Sequence, residues 1–301
     1  MTKQGVESRH SDTALYAGLC RSVAAMEHPD ESFGADYLAR GFLPPHIRFF
    51  IRFDKIRSNF RNKDAQMTPG GYQYVLARTA FFDALFVNAL AQQIPQIVLL
   101  GAGYDSRAYR FADQNKGSDI FELDISTTQD RKLKCLKKLG VEVPAQLKFA
   151  SINFNKESIA SALENVGYDS AKKTLFMWEG VTMYLEPSAV SATLDFVKGS
   201  AGADSAIAFD YVVSIPEDAY DAHYGVREFM ETWAKHRKNE PFQFSLPEDE
   251  LACYLKGAGL TLSSQMNSVQ IEEAFLSDGL GSSDSRVSGL FRFAVASNAA
   301  C

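Results

Sequence analysis

The chain is poor in the residues from which metal sites and cross-links are built. It has four cysteines, Cys20, Cys135, Cys253 and Cys301, and five scattered histidines in 301 residues. The cysteines lie far apart without paired spacing, and no two histidines stand four apart. This speaks against a disulfide framework and against a structural or catalytic metal. Such thiols fit a reducing, cytoplasmic setting. Positive charge is also in deficit. The formal net charge is −6, so a nucleic-acid partner finds no bulk electrostatic support. No apolar run approaches the roughly 18 residues of a membrane helix. No apolar core follows a basic N-terminal stretch, so no signal peptide is expected. Internal repeats and low-complexity segments are missing as well. What remains is a globular composition, long enough for one large domain with insertions or two small ones.

The chain is organised around Ile94-Pro-Gln-Ile-Val-Leu-Leu-Gly-Ala-Gly-Tyr-Asp-Ser-Arg107. Ile97–Leu100 is an unbroken apolar run, as suits a parallel strand covered on both faces. Pro95 bars a helix from continuing into it. Gly101 and Gly103 then allow a sharp turn and the close approach of a ligand. A glycine turn after the first parallel strand is where nucleotide-like cofactors sit in doubly wound sheets. Taken alone, the same residues fit a plain strand end. A second strand, Ile120-Phe-Glu-Leu-Asp-Ile125, ends in Asp124, about 20 residues past the glycines, where a carboxylate can accept the hydroxyls of a ribose.

Local patterns place the other elements. Residues 1–10 read as loose, and Ser11 to Met26 as a helix capped by Ser11 or Asp12. Residues 28–34 read as a loop, and 36–41 as a short helix. Residues 46–66 alternate arginine and lysine with phenylalanine, which predicts one amphipathic helix with a solvated basic face rather than a nucleic-acid stripe. After the turn Thr68-Pro-Gly-Gly71, Phe82, Leu85, Phe86, Ala89 and Leu90 make one apolar helical stripe, with Arg78 at its start. Ser126 to Leu139 reads as a helix stopped by Gly140, with its leucines inward and Lys132, Lys134, Lys137 and Lys138 in water. Further strands are expected at 147–154, 174–178 and 206–212, with helices between them from about 157 to 166 and from Pro187. Two late strands, 260–264 and 290–296, would close the sheet as a hairpin-like pair with the last strand antiparallel. Alternating strands and helices argue for a parallel α/β sheet.

Four words in order carry a resemblance: Ala77-Arg-Thr-Ala-Phe-Phe-Asp83, Leu100-Gly-Ala-Gly-Tyr-Asp-Ser-Arg-Ala-Tyr-Arg110, Phe121-Glu-Leu-Asp124 and Trp178-Glu-Gly-Val-Thr-Met-Tyr-Leu185. Over about residues 11–213 the chain resembles the leucine carboxyl methyltransferase family. Asp12-Thr-Ala-Leu15 and Pro29-Asp-Glu-Ser-Phe33 look like its bacterial and fungal-type branch of S-adenosylmethionine-dependent O-methyltransferases, a branch linked to polyketide biosynthesis. The resemblance implies an α/β, doubly wound, mostly parallel seven-stranded sheet of the Rossmann-like methyltransferase type. It would carry a helical cap and lead-in helix (1–92), a cofactor-binding core (93–214), a lid insertion (215–245) and C-terminal strands (246–301). It further implies that Arg78 holds the methionine carboxylate, Gly101 and Gly103 line the cofactor, Asp124 binds the ribose, and Glu179 faces the methionine end. At the adenine amino group, where relatives carry an acid, this chain has Asn153 followed by Phe154. An Asn carbonyl can still accept that bond.

Methyl transfer from a sulfonium needs alignment and exclusion of water more than it needs acid–base groups. A carboxylate acceptor requires no base, whereas a hydroxyl acceptor does. Tyr184, His223 and His236 are candidates for that base. The expected acceptor is a small molecule, with a protein C-terminal carboxylate as the alternative. Neither nucleic acid nor membrane is an expected partner, and the oligomeric state stays open. A nicotinamide-dependent oxidoreductase is a rival, but Ser106 stands where its third glycine would fall. A non-catalytic cofactor-binding module is another. Arg78 could also be a surface residue paired with Asp83 or another acid.

Overall fold

The computed structural model describes residues 12–28, 36–154, 156–199, 201–236, 241–276 and 285–298. The readings of residues 1–10, of the Ser11 cap, of Pro29–Phe33 and of Cys301 lie outside these residues.

Seven strands form one sheet: β1 (Gln96–Leu100), β2 (Asp119–Asp124), β3 (Leu147–Ser151), β4 (Thr174–Trp178), β5 (Ala206–Val212), β6 (Thr261–Met266) and β7 (Phe291–Ser297). Their order is β3-β2-β1-β4-β5-β7-β6. β1 to β5 run parallel, and β7 lies antiparallel between β5 and β6. The order reverses between β1 and β4. The first turn after β1 and the first after β4 therefore face each other across the crevice where doubly wound sheets bind ligands.

The helices are α1 (Asp12–Glu27), α2 (Ala39–Phe42), α3 (Pro45–Phe50), α4 (Asp54–Met67), α5 (Gly71–Ala91), α6 (Arg107–Arg110), α7 (Ser126–Leu139), α8 (Ile159–Glu164), α9 (Pro187–Gly199), α10 (Val226–His236), α11 (Leu251–Gly257) and α12 (Ser268–Phe275). Alternate residues of each strand serve opposite faces, as a period of two requires. Ile97, Leu99, Ile120 and Met177 pack on the face carrying α1, α5, α10 and α12. Val98, Leu100, Phe121, Phe176 and Trp178 pack on the face carrying α8, α9 and α11.

Several local expectations change. Residues 46–66 are two helices, because the chain turns at 51–53 between α3 and α4. Arg57, expected on a solvated face, is buried and bonds Glu27 and the Ile51 carbonyl. Phe49, Phe50 and Phe53 are instead exposed. The third strand stops at Ser151, so Asn153 and Phe154 lie in the loop beyond it. Ser126 makes no side-chain cap, whereas Gly140 ends α7 in the left-handed region. The late strands are not a hairpin, since α12 lies in their connection. α5 begins at Gly71, which leaves Arg78 in its interior rather than at its start. α5 is also long and apolar enough by composition to cross a membrane, although the sequence shows no unbroken apolar run of that length. It packs inside the protein, with Leu76, Phe82 and Phe86 fully buried.

The largest departure concerns Lys132. It is fully buried, and its Nζ lies 2.7 Å from Glu122 Oε2 on β2. Leu139, expected inward, is exposed. The buried face of the helix thus runs through Gln129, Lys132 and Leu136 and carries a cation to a buried carboxylate.

Candidate active site

A cavity of about 370 Å³ opens at the C-terminal edge of β1, β2 and β4. Its size is that of a small-molecule site. Gly101, Gly103, Asp124, Phe154, Glu179, Arg78 and Tyr184 line it. Asn153, His223 and His236 do not. Asn153 N–H bonds Glu157 Oε2 in its own loop. His223 borders a separate hollow with Tyr224 and Arg286, and His236 lies at the exposed end of α10. Neither histidine is placed to take a proton from a ligand in the main cavity.

The glycine turn fits its expected role. Gly101 has φ +68°, and a Cβ on it would come within 2.6 Å of Val181 Cγ2. Only glycine both adopts the turn and leaves that space open. Asp124 is the last residue of β2. Its Oδ2 accepts from the Gly103 N–H (2.6 Å) and its Oδ1 from the Ile125 N–H (2.7 Å). Each oxygen keeps lone-pair capacity for another donor. Burial raises this carboxyl above its ordinary value, against the pull of the two N–H groups.

Glu179 leaves β4 across the crevice and is held between two arginines. Arg78 Nε donates to Oε1 at 3.1 Å, and Arg107 Nη1 lies 2.7 Å from Oε2. Burial alone would raise Glu179. The guanidinium of Arg107, then that of Arg78, outweighs it and holds the carboxyl below its ordinary value. Arg78 Nη1 also donates to Tyr74 Oη (3.1 Å) and reaches Asp210 Oδ2 (3.4 Å) at the end of β5. Tyr74 makes a very short hydrogen bond to that same oxygen. Asp210 Oδ1 accepts from the Gly180 N–H at 2.6 Å. A Cβ on Gly180 would sit 2.8 Å from Arg78 Nη1, so this glycine lets the backbone close over the guanidinium.

Arg78 Nε is taken by Glu179 and Nη1 by Tyr74 and Asp210, and Nη2 has no hydrogen-bond partner among the described residues. Asp83, the acid considered as its partner, is held instead by Arg107 (2.7 Å) and by a two-bonded Arg110 (2.7 and 2.7 Å). Sequence reading missed Arg21, Tyr74, Asp105, Arg107 and Asp210. Arg107 and Arg110 stand in a stretch that carries the family resemblance, which assigned neither of them a role. Arg21 lines the cavity from α1 and pairs with Asp36 at 3.3 Å. Its Nε is buried without a hydrogen-bond partner.

The arrangement fits S-adenosylmethionine on these grounds: a glycine cradle that a Cβ would fill, a strand-end carboxylate with spare acceptor sites, and an orphaned guanidinium nitrogen. Replacing Asp124 with alanine is expected to weaken S-adenosylhomocysteine binding by about 1.5–3 kcal/mol, the usual worth of a hydrogen bond to a charged group. Asparagine, which keeps one acceptor, should do less harm. Equal affinities for wild type and the alanine variant in calorimetry would show that the carboxylate only pins the Gly103 turn.

The profile for leucine carboxyl methyltransferase matches residues 17–198, more than half of the chain. A "Putative S-adenosyl-L-methionine-dependent methyltransferase" of Mycolicibacterium paratuberculosis is 30% identical over 257 residues, which cover 83% of this chain and 80% of that protein. One of the same description from Mycobacterium marinum is 29% identical, covering 74% and 73%. Among solved structures, a "putative methyltransferase" from Thermobifida fusca superposes with a TM-score of 0.57 at 13% identity, covering 82% of this chain and 90% of its own. A DUF574 family protein from Streptomyces avermitilis gives 0.61 at 10% identity, covering 97% and 98%. At such identities the two structures speak for the fold alone. By the family match and the mycobacterial identity together, the chain belongs to the leucine carboxyl methyltransferase family.

Proposed function

We propose that this protein transfers a methyl group from S-adenosylmethionine to an oxygen of a small molecule, in the cytoplasm and without a nucleic-acid or membrane partner. The coarse activity, methyl transfer that depends on S-adenosylmethionine, goes with the family. The acceptor is our reading, and the observation that carries it is the form of the cavity. It is a pocket of about 370 Å³ lined by the sheet edge, α1, α5 and the segment after β5, a size that suits a small molecule. The cofactor supplies a methyl group already activated on a sulfonium.

Each side chain then has a limited task. Asp124 would accept from the ribose hydroxyls, and Phe154 and Ile125 would cover the adenine side. Arg21 and Arg78 would together take the amino-acid carboxylate, through Arg21 Nε and Arg78 Nη2. Glu179, kept ionised by its two arginines, would accept from the ammonium. Tyr184 stays in reach of the acceptor as a wall.

Arg21→Met should weaken S-adenosylhomocysteine binding by about 1.5–3 kcal/mol and leave adenosine, which has no carboxylate, nearly unaffected. Calorimetry with both ligands checks this. Parallel losses would mean a disturbed fold, and no loss would remove Arg21 from the site. Binding of NAD with none of S-adenosylhomocysteine would sink the function itself.

A further inference from the structure

The lining changes character from one side of the cavity to the other. Asp124, Ile125 and Phe154 line it beyond β2 and β3, and Glu179 and Arg78 add the charged groups. Another side is a wall of rings: Tyr184 after β4, and Phe229, Trp233 and Phe242 from the segment that follows β5. Phe229, Trp233 and Phe242 are stacked on one another, while Tyr184 is tilted by 37° from Phe242. Trp233 lies 14° from Phe229 at 5.5 Å between centroids, 14° from Phe242 at 4.7 Å, and 23° from Tyr184 at 6.1 Å. A stack of this kind can be extended by a ligand that is itself flat, because offset stacking rewards parallel rings beyond the area they bury.

Two further observations narrow the chemistry. The cavity residues contributed by the segment after β5 are Phe229, Trp233, Pro241, Phe242 and Gln243, none of them charged. A carboxylate or ammonium placed against them would lose its hydration without a partner. A single neutral hydroxyl would not. Moreover, among the described residues no histidine, lysine or cysteine lines the cavity. Glu179 is held down as a base by its arginines. An aliphatic alcohol would find no strong base here. A phenol ionises near pH 10 by itself, as the tyrosine side chain does, and its proton can leave to solvent before transfer.

We propose that the methyl acceptor is a planar aromatic hydroxyl compound that stacks on the Trp233 wall. This rests on the methyltransferase reading and deepens it. In the transfer the S–CH3 bond breaks, the sulfur keeps its electron pair, and the phenolate oxygen forms the new O–CH3 bond.

The test uses the full chain saturated with S-adenosylhomocysteine and three probes of matched size: 2-naphthol, decahydro-2-naphthol and decanoate. The two bicyclic alcohols differ in flatness and in acidity. Calorimetry should show saturable 2-naphthol binding about fivefold to tenfold tighter than either other probe, the worth of a good ring stack. Trp233→Leu should erase that preference, Trp233→Phe should keep most of it, and neither should alter S-adenosylhomocysteine affinity. With labelled S-adenosylmethionine, label should enter 2-naphthol faster as pH rises from 7 towards 9. Equal or tighter binding of decahydro-2-naphthol or decanoate overturns the proposal, as does absence of 2-naphthol binding to protein that still binds S-adenosylhomocysteine. A preference unchanged in Trp233→Leu overturns the role of the wall. Failure to bind S-adenosylhomocysteine would instead fall on the methyltransferase reading.

Discussion

Replacing Arg107 with methionine is expected to cost about 3–5 kcal/mol of stability, the usual penalty for leaving buried carboxylates without their cation. Arg107 is 1% exposed. Its Nε bonds Asp83 at 2.7 Å, its Nη1 lies against Asp105 and 2.7 Å from Glu179 Oε2, and its Nη2 donates to the Thr79 carbonyl. Methionine fills much of the volume but supplies no charge. Asp83 would keep Arg110, and Glu179 would keep Arg78. Asp105 would lose the guanidinium that, against the effect of burial, holds it below its ordinary value. Burial would then drive Asp105 and Glu179 upward, and Glu179 would become a poorer partner for a cofactor ammonium. Arg107→Lys keeps a charge but not the planar fork, and should fall between. Urea unfolding and S-adenosylhomocysteine titration of both variants check this. A methionine variant as stable as wild type would show that the cluster is solvated rather than dry.

The second large effect concerns Lys132. Lys132→Met should destabilise the protein by about 3–5 kcal/mol at pH 8, since it strips the cation from buried Glu122. Burial already pushes Glu122 up to about 7, with Lys132 opposing the shift, and Glu122 Oε1 has no hydrogen-bond partner. A carboxyl raised in the folded state binds protons there that the unfolded chain releases. Its contribution is therefore complete below its ordinary value of 4.5 and is lost as pH rises through about 7. Without Lys132 the carboxyl would rise further. The variant's deficit should then be largest above pH 7 and shrink towards pH 5. Glu122→Leu combined with Lys132→Met removes both charges and should recover most of the loss. A deficit that is the same at pH 5 and pH 8 would mean that packing around Tyr109, whose ring lies 5.5 Å from Nζ, is what the lysine provides.

The charge cluster also explains a limit in the reading of residues. Gly101, Asp124 and Glu179 could be placed from sequence because each ends its strand or follows it directly, so that locating the strand locates the residue. The strands in turn were legible because fully buried β1 and β4 are apolar without a break after a polar first residue. Residues 46–66 were misread because helical periodicity does not register the turn at 51–53. Lys132 was misread because amphipathic phase assigns every lysine to water. Phe154 reaches the cavity and Asn153 does not, a difference of one residue in a loop that no period controls.

Sequence by itself determined the parallel sheet, the glycine turn at its switch point and the two strand-end acids, because these depend on neighbours along the chain. Only the tertiary structure decided what those acids do. Arg78 meets Glu179 across 101 residues and Tyr74 meets Asp210 across 136, while Lys132 finds Glu122 on a neighbouring strand. A buried charge is tolerable only where its counter-charge arrives, and the partner is delivered by packing, which leaves no local pattern in the sequence.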